Sequence, residues 1–240
     1  LKKLFWNTIV KQVIDNELFI FSDIFEDFYD ERIETLHYKK NFGKEKFKDT
    51  TGGREVLDLV QETYDKLITS QRFEKWWQTF VSTVVKKFFD FEPIYCQKLP
   101  SFRIFPANYQ IKYVDKVVDG FNAHLDCEPP FYHPLFEQNF WMPLIDCDHL
   151  NDLYFFDLQE GHHTRANIEK NQMLVFSSDI VHGNKVHNKS WNTRASLDFK
   201  AFKVSDYDEE QLDENLMVLK RGKYYKQTDW YSDKHYYDIF

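Results

Sequence analysis

The feature that most constrains this 240-residue chain is a change of hydrophobic period near Pro93. Before it, Leu57, Val60, Tyr64, Leu67 and Ile68 keep the i, i+3, i+4, i+7 spacing of one helix face, and Trp76, Trp77, Phe80, Val81, Val84, Val85, Phe88 and Phe89 continue it. A helix over 54–90 is expected, preceded by helices near 2–16 and 22–38, the second capped by Ser22. The charged, glycine-bearing segment 41–53 reads as a surface loop. After Pro93 come short strand-like runs at 95–99, 102–105, 110–114, 139–145, 153–158, 173–176 and 195–204. Pro, Asp, Asn or Gly bounds each run, and they recur at the spacing of a sandwich or barrel. In the last run Ala195, Leu197, Phe199 and Ala201 alternate with Ser196, Asp198, Lys200 and Phe202. Helices first and antiparallel strands after give an α+β plan around a jelly roll, with the N-terminal helices packed on its sheet. The chain is read as one domain: helical support over 1–92, the jelly-roll core over 93–204, and a C-terminal extension over 205–240.

Composition narrows the class. Aromatic residues make up 18% of the chain and charged residues 29%, so it has both a core to bury and a surface to solvate, unlike a disordered chain. Lys and Arg number 31 against 39 Asp and Glu, a net charge of −8 with no basic stripe, which argues against nucleic acid as a partner. No apolar run approaches the ~20 residues needed to span a bilayer, so no membrane is expected. Cys96, Cys127 and Cys147 are too far apart for a zinc ribbon or a disulfide framework and read as the reduced thiols of a cytoplasmic protein. The chain opens on Leu1 rather than Met and is expected to lack a few residues ahead of it. The acidic stretch 206–215 reads as a solvated surface element, and nothing in the pattern sets the oligomeric state.

The chemistry concentrates at His124-Leu125-Asp126. On an extended segment, side chains two residues apart point the same way, which sets an imidazole beside a carboxylate. An H-x-D alone is weak, since nine His in a chain with 39 acidic residues make one a common chance event. A second imidazole from another strand would complete a facial triad that leaves one side of a metal open. His182, which follows the strand-like run at 173–176 and the turn at 177–179, is placed to supply it, and His187 is the alternative; Arg194 stands after both. A guanidinium fork suits a distal carboxylate, and the hydroxyl of Ser196 adds a second donor. A chelating keto acid held at its far end by Arg and Ser describes 2-oxoglutarate.

Phe102-Arg103-Ile104, His124-Leu125-Asp126, His133, Asn139 to Leu144, Leu153-Tyr154, Val181 to Asn184 and Thr193 to Phe199 occur in an order that resembles the Fe(II)/2-oxoglutarate-dependent oxygenases of the streptomycin-biosynthesis type, within the phytanoyl-CoA-dioxygenase-like superfamily. The resemblance covers about 100–202. It implies a double-stranded β-helix, with His124, Asp126 and His182 on iron, Arg194 and Ser196 on the cosubstrate carboxylate, and Asn139 on the cosubstrate or a ligand. It implies Fe(II), 2-oxoglutarate and O2 as the reacting set, and hydroxylation of a small polar metabolite with release of succinate and CO2. The carboxylate of Asp126 favours hydroxylation, desaturation or ring formation over halogenation. Arg103, His133, Trp141 and Tyr154 are candidate substrate contacts. For Arg103 a buried ion pair is an equal alternative, and for His133 a purely structural place. His162 and His163 read as surface. The competing function is a metal-binding cupin-like isomerase or sugar-binding module, which needs no Arg194.

Overall fold

The computed structural model describes residues 10–13, 62, 65–66, 69–97, 100–105, 107, 120–129, 131–170, 172–207 and 237–239. The expected helix at 22–38, the loop at 41–53, the strand at 110–114 and most of the acidic stretch at 206–215 lie outside the described residues. Helix α1, Gln71–Phe80, begins at Ser70, whose hydroxyl accepts from the Phe73 N–H, and carries Glu74 in its first turn, where a carboxylate complements the helix dipole. It runs on through a π-helical turn at Val81–Val85 and a last turn at Lys86–Phe88, so 71–88 is one helical rod that starts at the Ser70 cap and not at 54, while 54–61 lies outside the described residues. Asp90 and Phe91, both at positive φ, end it. Among the described residues no helix is long and apolar enough to cross a membrane.

The strands form two antiparallel sheets. They are β1 (Val10–Val13), β2 (Ile94–Gln97), β3 (Ser101–Phe105), β4 (Phe121–His124), β5 (Gln138–Pro143), β6 (Leu153–Asp157), β7 (His162–Arg165), β8 (Gln172–Ser177), β9 (His182–Lys185), β10 (Arg194–Lys203) and β11 (Tyr237–Ile239). The larger sheet runs β1-β8-β5-β10-β2-β11, with β3 also paired to β10; the smaller runs β4-β9-β6-β7. From β3 to β10 the pairings are β3 with β10, β4 with β9, β5 with β8 and β6 with β7. That is one long hairpin, closed at β6–β7 within the smaller sheet, rolled up so that the strands on either side of that turn alternate between the two sheets.

The alternation expected in β10 decides where the core sits. Ala195, Leu197, Phe199 and Ala201 face the helix, joining Phe73, Trp76, Trp77 and Phe80 in one buried cluster. Trp77 meets Phe199 edge-on at 4.8 Å, and its indole N–H donates to the Gln97 carbonyl at 3.3 Å, so the buried ring leaves no polar atom unpaired. The aromatic load of the helix is therefore packing, as its spacing suggested. A second cluster lies between the sheets, where Trp141, Leu174 and Phe176 of the larger meet Leu153 and Phe155 of the smaller.

Two elements differ from the sequence expectation. Val10–Val13 is a strand paired to β8, from Val10 opposite Val175 to Val13 opposite Gln172, and not part of a helix over 2–16. An open strand edge offers a row of backbone donors and acceptors, and two β-branched valines suit that pairing better than a helix. His162 and His163 lie in β7, not in an irregular connection, although both side chains are exposed as expected.

Candidate metal centre and its cavity

Strands β4 and β9 pair with His124 directly opposite His182, and side chains opposite each other in an antiparallel pair share a face. The two imidazoles are 4.5 Å apart between ring centres. β4 ends at His124, so Asp126 belongs to the following turn and not to a continued strand. That turn is held by the His133 N–H donating to the Asp126 carbonyl at 2.8 Å and the Cys127 N–H donating to Ser178 O at 3.2 Å. The carboxylate still converges on the histidines: Asp126 Oδ1 is 3.6 Å from His124 Nε2. One ligand atom from each of His124, Asp126 and His182 lies within 4.8 Å of the others, and His187 is not in this group.

Backbone carbonyls orient both rings. His124 Nδ1 lies 3.3 Å from Asn122 O, and His182 Nδ1 lies 2.9 Å from Ile180 O. A carbonyl only accepts, so each Nδ1 carries the proton and each Nε2 keeps its lone pair, as a metal ligand requires. Burial, and after it the neighbouring His182, pushes the His124 pKa down to about 4. Burial alone would raise Asp126, but the Lys200 ammonium, with His182, His133 and His124, holds its carboxyl well below the usual carboxylate range. With His124 neutral and Asp126 ionised, and an Nε2 lone pair on each ring, the group offers two imidazole nitrogens and one carboxylate, the donor set that suits a divalent metal with open positions.

Both shifts weaken the metal-free fold in acid. The unfolded chain takes a proton on His124 near pH 6.5 that the folded chain refuses until about pH 4, so stability falls as pH drops through that window. Asp126 acts with the same sign lower down, its contribution being present above its ordinary value and lost as pH falls toward its depressed one. The urea midpoint of the metal-free protein should therefore decline from pH 6.5 to pH 4; a flat profile would mean that His124 titrates normally.

The triad opens into a cavity of about 290 Å³ whose lining comes from both sheets. Arg194, on the wall, is 4% exposed and lies between the Phe105 and Trp141 rings, its Cζ 5.4 and 5.8 Å from their centres. Its Nη1 donates to Asn151 O at 2.9 Å and to Asn184 Oδ1 at 2.6 Å. Burial lowers its pKa, opposed by Cys147, Asp152 and Asp198, and a guanidinium stays charged nonetheless. Among the described residues it has no carboxylate at ion-pair distance, and its buried Nε has no hydrogen-bond partner. Ser196, two residues along the same strand face, is fully buried, and its hydroxyl is likewise without a partner. Orphaned buried polar atoms are rare, and two donors together mark a place for an anionic oxygen.

The remaining candidates divide. Arg103 pairs in fork geometry with Asp198, Nε to Oδ1 at 2.8 Å and Nη2 to Oδ2 at 3.1 Å, and both line the cavity. His133 also lines it while its Nδ1 sits 2.7 Å from buried Glu137, and Trp141 and Phe131 give it aromatic walls. Asn139 lines the cavity with its Nδ2 buried and, among the described residues, without a partner. Tyr154 does not belong there. Leu153 and Phe155 face the inter-sheet core, so period-two alternation puts Tyr154 on the opposite face with Phe121, Ala123 and Phe156, its hydroxyl donating to His149 O at 2.5 Å. Sequence reasoning missed Lys200, whose Nζ donates to Asp126 Oδ2 at 2.7 Å and to Asn139 Oδ1. The strand alternation put it on the polar face, but only the register of β5 against β10, Lys200 opposite Asn139, reveals its neighbours.

No protein-family profile matches the sequence. No curated protein matches it either. Similar solved structures include an oxidoreductase of the 2OG-Fe(II) oxygenase family from Burkholderia pseudomallei, 14% identical over 59% of this chain and 57% of that one, with a TM-score of 0.32. A prolyl-4-hydroxylase from Pseudomonas putida is 12% identical over 82% and 88% of the two chains, with a TM-score of 0.39. A non-heme alpha-ketoglutarate-dependent carbocyclase, SnoK from nogalamycin biosynthesis, is 11% identical over 51% and 55%, with a TM-score of 0.35. This chain spans 57% of the Burkholderia protein and 55% of the carbocyclase.

Proposed function

We propose that this chain is a non-heme Fe(II)/2-oxoglutarate-dependent dioxygenase that hydroxylates an unactivated C–H bond of a small polar metabolite, on a double-stranded β-helix formed by β3–β10. One observation carries the reading: a cavity that holds the two-histidine, one-carboxylate group also holds a buried arginine that, among the described residues, has no carboxylate partner, beside a serine hydroxyl with no partner among them either. A cupin-like isomerase or sugar-binding module has use for the metal ligands but none for that arginine.

In this reading His124 and His182 donate through Nε2 and Asp126 through a carboxylate oxygen, and the residues present fit a divalent iron. Bound Fe(II) with 2-oxoglutarate and O2 supplies an oxidant strong enough to take hydrogen from an unactivated C–H bond, with release of succinate and CO2. The protein's task is placement. Arg194 and Ser196 hold the far carboxylate of 2-oxoglutarate, which fixes the direction in which its keto acid end points. The aromatic walls around Arg194 keep water from competing for that ion pair, so the interaction is strong for its size. Arg103 and Asp198, bound to each other at the cavity wall, offer both a donor and an acceptor to a polar substrate. We assign the protein to the cytoplasm on its separated, reduced cysteines.

The deciding experiment measures succinate released from 2-oxoglutarate by protein loaded with Fe(II) under air. Wild type should turn over, slowly without its true substrate, and His124→Ala should be silent. A fully iron-loaded wild type that releases no succinate with any candidate metabolite would rule the oxygenase out.

A further inference from the structure

The polar face of β10 carries a cation that the triad alone does not require. Lys200 is largely buried, its side chain 15% exposed, and its backbone N–H is fixed by Gln97 Oε1 at 2.9 Å. Its ammonium bridges Asp126 Oδ2 and Asn139 Oδ1, while Asp126 Oδ1 is the oxygen turned toward His124. Two consequences follow from donor chemistry. A carboxylate with one oxygen tied to an ammonium has only the other for a metal. An ammonium can only donate, so the Asn139 amide must present its oxygen to Lys200, and its NH2 is turned away. That NH2 is the buried, unpartnered Nδ2, on a residue that lines the cavity.

We propose that Lys200 is the positioning residue of this site: it limits Asp126 to one metal-facing oxygen and sets the Asn139 amide so that its N–H meets an oxygen of the bound oxoacid. The inference rests on the dioxygenase reading and deepens it. A lysine present only to balance a buried carboxylate would stabilise Asp126 without affecting how a cosubstrate binds. As a positioning residue it keeps open the coordination place that a chelating oxoacid needs and orients the amide that greets it.

The test uses the full chain without oxygen, titrating first Co(II) and then 2-oxoglutarate while the cobalt d–d spectrum is followed. Wild type should take up both. Lys200→Met should keep Co(II), with an altered d–d spectrum, and bind 2-oxoglutarate about tenfold more weakly, the loss expected for one charge-assisted contact. Lys200→Arg should stay within about threefold of wild type, since it preserves the donor and the charge. Asn139→Leu, which leaves the lysine in place, should lose about tenfold by itself, and the double variant should lose no more than either single one. Unchanged 2-oxoglutarate affinity in Lys200→Met or Asn139→Leu would overturn the inference, and so would additive losses in the double variant. Loss of Co(II) by Lys200→Met would overturn it as well, by making the lysine a support of the metal site alone. A wild type that takes up no Co(II) overturns the dioxygenase reading itself and this inference with it.

Discussion

Gly183→Ala should lose divalent-metal binding by about a hundredfold or more and lower the urea midpoint by the equivalent of ~1–3 kcal/mol, the range of a forced overpacking at a rigid contact. A Cβ at Gly183 would stand 2.0 Å from Asn122 O, 2.6 Å from Asn122 C and 2.8 Å from Ala123 Cα. All three are backbone atoms of β4, so no side chain can swing aside to make room. The strands have to part, and the next pair in register is His124 opposite His182. Glycine inside a strand ordinarily weakens it, and here the close approach of two backbones explains its presence. Equilibrium dialysis against Co(II) and urea unfolding read the two effects separately. A variant that binds Co(II) like wild type would show that the histidines do not depend on the closeness of β4 and β9.

How far the site could be read in the sequence depended on how local each relation is. His124 and Asp126 were legible because two residues of near-extended chain decide where they point, and their convergence survives even though the strand stops at His124. Arg194 and Ser196 were legible for the same reason on β10. Strand β9, His-Gly-Asn-Lys, was not legible as a strand, because it has no β-branched or aromatic residue and owes its form to pairing with β4 and β6. Lys200 was invisible in its role, since the groups it binds lie 74 and 61 residues away and only the folded register brings them together. Tyr154 shows the opposite failure. An aromatic on a strand near the site invites a substrate role, and the parity of one residue sends it to the other face.

Arg194 carries the second large effect. Arg194→Ala should weaken 2-oxoglutarate binding to the metal-loaded protein by about two to three orders of magnitude, equivalent to ~3–4 kcal/mol for a buried, charge-assisted contact to a carboxylate. Affinity for Co(II) should stay close to that of wild type, because the guanidinium touches Asn151 O and Asn184 Oδ1 and none of the three ligand side chains. Arg194→Lys is the sharper variant. An ammonium keeps the charge but has no fork, so it can satisfy Asn184 or the carboxylate but cannot hold both in the same plane. Its loss should fall between wild type and alanine. The split between the two titrations separates the roles open to this residue. If 2-oxoglutarate binds Arg194→Ala as well as wild type, the arginine merely ties Asn151 to Asn184 between two aromatic rings, and the orphaned Nε and Ser196 hydroxyl need another explanation. If instead both affinities fall together, Asn184, two residues beyond His182 on β9, transmits the loss to the metal site.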